Sequence, residues 1–153
     1  MSVRIATICA CTALLAACGG DGGENGSPPA AAPPTPAPAA DGTLTVDAFN
    51  DYVEAAQPAG AHSPLVLATE FLHVEEREPS PASMTVDMPP EGASEAAVTA
   101  TFEGLLDDSV RAVRFELVFE RADDGTWRLR SAVQTQRCWP GRGHETFSAE
   151  DCV

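Results

Sequence analysis

Lysine is absent from all 153 residues, and nine arginines alone oppose 23 aspartates and glutamates, for a formal net charge of −14. A body this acidic is repelled by polyanions, so nucleic acid and anionic membrane surfaces are excluded as partners through a basic patch. Histidine occurs three times, at His62, His73 and His144, with neither H-x-x-x-H nor H-E-x-x-H spacing, so the pattern of a catalytic metal site is missing. There is no G-x-S-x-G and no C-x-x-C, which removes the usual signatures of a serine nucleophile and of a redox or metal-binding thiol pair. Neither a cofactor nor a metal is expected. An enzyme would have to assemble its site from dispersed carboxylates, so the chain reads as a non-enzyme.

Long apolar runs are missing as well. Residues 1–4 carry Arg4, and Ile5 to Leu14 supply an apolar segment of about ten residues, half of the about 20 that a membrane-spanning helix needs. Leu15-Ala16-Ala17-Cys18 follows at once. This arrangement resembles the signal peptide and lipobox of bacterial lipoproteins. The resemblance implies removal of residues 1–17, a diacylglycerol thioether on Cys18, and a protein held on a membrane without spanning it, because two acyl chains anchor where one binds only marginally. Gly19 stands where an aspartate would favour inner-membrane retention, so the resemblance points to the outer membrane, facing the periplasm. Loss of Arg4 with the leader would make the remaining chain still more acidic.

Residues 19–43 contain no aromatic and no large aliphatic side chain. Such a segment cannot bury enough apolar surface to offset its ordering entropy, so residues 18–43 read as a disordered, lipid-bearing spacer. Six prolines between Pro28 and Pro38 stiffen its second half into extended chain. A proline-rich ligand for another domain is the alternative reading.

Residues 44–153 have the length of one small domain. Only Cys138 and Cys152 remain there, and in an exported chain two remaining thiols join. Closing a loop of about 15 residues contributes about 3 kcal/mol in the chain-entropy model. Charge is unevenly spread: Arg77 is the one cation between Asp47 and Asp108, whereas seven arginines lie between Val110 and Arg142.

Thr45 looks like the N-cap of a helix whose buried face carries Phe49, Tyr52, Val53 and Ala56, ending at Pro58 and Gly60. The run from Ser63-Pro64 to Val74 repeats Leu67, Phe71 and Val74 helically yet is also a near-continuous apolar strand; helix is the preferred reading. Glu75-Glu76-Arg77-Glu78 reads as a solvated charge run. A weak strand from Met84 to Met88 precedes a Pro-Pro-Glu-Gly turn, and Val98, Ala100 and Phe102 alternate with polar residues as in a half-buried strand.

The clearest pattern is a hairpin. Val113, Phe115, Leu117 and Phe119 alternate with polar or outward positions, and the returning strand alternates Trp127, Leu129, Ser131 and Val133 against Arg128, Arg130, Ala132 and Gln134. A two-residue turn at Asp124-Gly125 would set Phe119 opposite Arg130 and mix the faces. A three-residue loop with Gly125 left-handed pairs 119 with 129 and 117 with 131, and sets Glu120 opposite Arg128.

The expected fold is therefore α+β, with one or two N-terminal helices packed on a three- to four-stranded antiparallel sheet and a C-terminal disulfide-closed loop. Its element order faintly resembles the cystatin-like and NTF2-like domains, which implies a helix-on-sheet body and transfers no functional residue. The stapled loop, with Trp139, Arg142 and His144, is the candidate recognition surface; the plainer reading is a tail tied down, with Trp139 and Phe147 packed on the sheet. The function expected is a membrane-anchored binding or interaction module of the cell envelope, its partner an envelope protein or a small ligand. An inhibitor or protective factor presenting the Cys138–Cys152 loop to a periplasmic enzyme is the alternative. Replacing Cys18 with Ser should move the protein from the membrane pellet to the soluble periplasm or stall it as precursor; unchanged fractionation would contradict the anchor.

Overall fold

A computed structural model describes residues 32–77, 82–87 and 93–153. The expected signal peptide, the lipidated Cys18, Met88 and the Pro-Pro-Glu-Gly turn lie outside the described residues. Within them, two helices, α1 (Asp47–Ala56) and α2 (Pro64–Phe71), precede four strands, β1 (Ala82–Asp87), β2 (Glu95–Glu103), β3 (Val110–Arg121) and β4 (Trp127–Cys138). The strands form one antiparallel sheet in the order β1-β2-β3-β4. The fold is α+β, and no described helix is long and apolar enough to cross a membrane.

Each helix starts for a local reason. Val46 occupies the N-cap of α1 with no side-chain bond, so Thr45 does not cap it. Asp47 in the first turn favours the helix start by charge instead. Phe49 and Val53, one turn apart, are its buried face, while Ala56 is exposed. In α2 the Ser63 hydroxyl accepts from the Val66 amide at 3.4 Å, with Pro64 at the first helical position. Ser-Pro thereby settles the ambiguous run as helix, and Leu67, Ala68 and Phe71 are buried.

The helices lie on one sheet face. Phe49, Phe71, Phe119, Leu67, Leu117 and Leu129 are at most 1% exposed and fill the helix–sheet interface. The rings of Phe49 and Phe71 meet edge to face at 5.1 Å, an arrangement that aromatic quadrupoles favour. Asn50 fastens α1 to the sheet by donating to the Leu129 carbonyl at 2.9 Å and accepting from its amide at 3.0 Å.

The hairpin follows the expected register only near its tip. Phe119 pairs with Leu129 and Glu120 with Arg128, and Gly125 has φ 84°, the left-handed conformation that the loop requires. The register then shifts between Val118 and Phe119, so that Leu117 faces Ala132 and not Ser131. Arg130 is the extra residue of this bulge, and it inverts the strand's parity. Trp127 and Leu129 point into the core before it; Ala132 is buried after it, and Ser131 is exposed. The expected Ser131–Val133 apolar face is therefore corrected. Arg128 also bonds Glu54 of α1 at 3.0 Å rather than the cross-strand Glu120.

The body begins earlier than residue 44. Gly42 accepts from the Gln134 amide at 2.8 Å, Leu44 donates to the Ala132 carbonyl at 2.9 Å, and Thr43 bridges Val133. This segment has little apolar side chain, but its backbone supplies what the outer edge of β4 lacks. Gly42 sits at φ 80°, and a Cβ there would lie 2.3 Å from the Gln134 carbonyl oxygen. Gly42→Ala should accordingly lower stability by about 1 kcal/mol or more in chemical denaturation, through backbone strain and a lost close approach. A neutral substitution would show the turn to be undocked.

Candidate interaction surface

The C-terminal loop is stapled as expected: Cys138 and Cys152 are bonded, their Cα atoms 5.5 Å apart. Its path is fixed by pairing as well, since Gln136 and Ser148 exchange backbone bonds of 2.8 and 3.0 Å along the edge of β4. The Gln136 amide side chain reaches the Glu150 carbonyl at 2.9 Å. Phe147 inserts its ring between Arg114, 3.9 Å from the centroid, and Arg137, at 5.2 Å. Arg137 in turn bonds the Glu103 carboxylate at 2.6 Å.

The three residues singled out in this loop behave differently. His144 turns inward: Nδ1 lies 2.8 Å from the Thr146 carbonyl and Nε2 lies 2.8 Å from that of Glu150. A neutral imidazole can donate to only one of them, whereas the imidazolium satisfies both. The Glu150 carbonyl foremost, then that of Thr146, raises the His144 pKa above its ordinary 6.5. His144 is thus a brace inside the loop and not a presented group. It also lies with Cys138 and Cys152 in a cluster whose donor atoms fall within 4.8 Å, but the two sulfurs are bonded to each other and offer no thiolate to a metal.

Trp139 and Arg142 do reach the surface. Trp139 is 36% exposed, less packed than a tail anchor would be. Its indole N–H donates to the Asp107 carbonyl at 3.1 Å, its amide donates to Ser109 at 2.9 Å, and the Arg111 guanidinium lies 5.4 Å from its ring. Arg142 approaches Asp108 at 3.7 Å, an exposed pair worth well under about 1 kcal/mol.

These contacts join the stapled loop to the β2–β3 connection, which no sequence motif marks. Asp107 accepts from the amides of Val110 and Ser109 at 2.7 and 2.8 Å and from the Ser109 hydroxyl at 2.9 Å. Those bonds, the Val110 amide first, hold its carboxyl below the ordinary 3.8 and tie the turn down. Leu106, next to this pinned residue, is 92% exposed. One end of the sheet therefore presents Leu106 and Trp139 with Arg111 and Arg142 around them, on backbone that is held in place. Of the two leucines in this connection Leu105 packs against the core and Leu106 does not, a difference that the local sequence does not mark.

The brace makes a pH prediction. A group whose folded pKa is raised adds stability that is fully present below its unfolded value, about 6.5, and is lost as pH rises through the folded value. Urea midpoints should therefore fall on going from about pH 6 to pH 8, and His144→Ala should lower stability at pH 6 and flatten that dependence. An unchanged slope in His144→Ala would contradict the brace. No family model, no curated protein and no solved structure matches this chain.

Proposed function

We propose that the chain is a lipid-anchored protein of the cell envelope, facing the periplasm, whose folded body is an interaction module that docks a partner protein through the Leu106–Trp139 surface. The observation that carries this reading is an almost fully exposed leucine beside a pinned turn. A lone apolar residue on a mobile loop would lose entropy on contact; Asp107 and Trp139 have already fixed the backbone beside this one. Tryptophan and arginine around an apolar centre are the residue types that dominate binding energy at protein interfaces. The filled helix–sheet interface supports a surface in preference to an internal chamber as the place of recognition. The lipobox residues Leu15-Ala16-Ala17-Cys18 and the two-chain anchor that they imply support the location.

The test is in the cell. A photo-crosslinking residue at position 106 should capture one stoichiometric envelope protein, and the same residue at exposed Glu116 should not. Leu106→Asp, an exposed change expected to alter stability by less than about 0.5 kcal/mol, should abolish co-purification of that protein with the whole chain. Co-purification equal to that of the unaltered chain would overturn the docking surface. Loss of the captured protein's own activity on binding would identify the module as an inhibitor.

A further inference from the structure

Upstream of the turn at Gly42, residues 33–38 stay against the body. Pro33 lies on the rim of a cavity of about 350 Å³ with Val66, Thr69, His73 and Val74. Thr35 and Pro36 line an adjoining one of about 240 Å³ with Leu72, His73, Arg77, Phe115 and Gln134. The imidazole of His73 lies between the two: Nε2 faces the Pro34 carbonyl at 3.4 Å, and Nδ1 faces the Glu76 carboxylate at 3.4 Å. The side chain of His73 is 14% exposed. Its backbone is left-handed, φ 50° and ψ 46°, which is uncommon outside glycine and marks positions held by their surroundings. Arg77 forms another wall. It donates to the Leu72 carbonyl at 2.7 Å and lies over the rings of Phe102 and Phe115, 4.8 and 5.0 Å from their centroids.

Prolines at 33, 34, 36 and 38 fix φ and carry no amide hydrogen, so this segment cannot join a sheet as an ordinary strand. Its carbonyls, free of internal hydrogen bonds, are what it can offer a donor such as His73. A chain already stiffened loses little entropy on docking. We propose that the groove between the residues that follow α2 and the β3–β4 hairpin, walled by His73, Arg77 and Phe115, is a binding site for an extended proline-rich segment, occupied in part here by residues 33–38 of the same chain. A short connection through the turn at Gly42 gives an effective concentration on the order of millimolar, enough to fill a weak site. Docking also withdraws residues 33–38 from any spacer, about 20 Å of reach at about 3.1 Å per residue. Release of the segment would thus both open the groove and let the body move outward. The inference is independent of the Leu106–Trp139 surface.

The experiment uses the whole chain without its leader, with Cys18→Ser for solubility. In one version Pro33, Pro34, Pro36 and Pro38 are replaced by Ser to vacate the groove. The probe is the eight-residue peptide of positions 32–39, followed by NMR shifts of the His73 ring and the Gln134 amide, with a Gly-Ser peptide of equal length as control. The vacated chain should bind the proline peptide saturably, the unaltered chain at least tenfold more weakly, and His73→Ala in the vacated chain should weaken binding several-fold. No binding to a vacated chain that keeps its β3–β4 amide shifts would overturn the proposal, and so would equal binding by both chains. Should the vacated chain fail to fold, amide relaxation in the unaltered one decides. Thr35 and Ala37 should be as rigid as β4 and become mobile in His73→Ala; mobility in the unaltered chain would sink the idea.

Discussion

The outer edge of β4 is the constraint on which the rest of this body depends. A twelve-residue strand at the end of a sheet presents a row of unpaired amides and carbonyls, an invitation to pair with another chain unless something covers it. Here both ends of the described body do so. Gly42 and Leu44 bond Gln134 and Ala132, and Ser148 bonds Gln136. The disulfide from Cys138 to Cys152 holds the second cover in place, while Gly42, alone able to approach Gln134 so closely, admits the first. The end of what looks in the sequence like a spacer, at residues 42–44, and the tail around Ser148 are the edge protection of the sheet.

That placement explains where recognition surfaces arise. The stapled segment, having paired with β4, sends Trp139 back to the β2–β3 turn, where Asp107 and Trp139 fix the backbone beside exposed Leu106. The leading segment, having paired with β4, carries its prolines toward α2, where His73 meets the Pro34 carbonyl. The core reaches the second of these through Phe115 and Leu72 and leaves no chamber of its own. Phe49, Phe71 and Phe119 occupy the space in which helix-on-sheet domains can hold a ligand, and chemistry is left to the periphery.

Much of this was legible. Alternation in β2 and β3, the Ser-Pro helix start and the parity of the Asp-Asp-Gly loop each reflect a local rule, and each is found in the fold. The bulge at Arg130 was not legible, because Arg-Ser-Ala reads equally well in either parity and only tertiary packing of Ala132 chooses between them. Arg77 is exposed, as the charge run implies, but what the sequence does not show is that Phe102 and Phe115 lie beneath its guanidinium from two different strands. His144 looks presented until a return of six residues places the Glu150 carbonyl on its ring. Docking of residues 38–44 could not be read from hydrophobicity, since its bonds are made by backbone. Leu106 was visible, but nothing local distinguishes an exposed leucine from a buried one.

The account stands on both covers being present at once, and native-state hydrogen exchange of three amides reports it directly. The Leu44, Gln134 and Gln136 amides should exchange as slowly as those inside β3. After reduction of the disulfide, Gln136 should quicken by at least tenfold while Gln134 and Leu44 change little. Rapid exchange of Gln134 in the oxidised protein, at the rate of an open strand edge, would contradict the account.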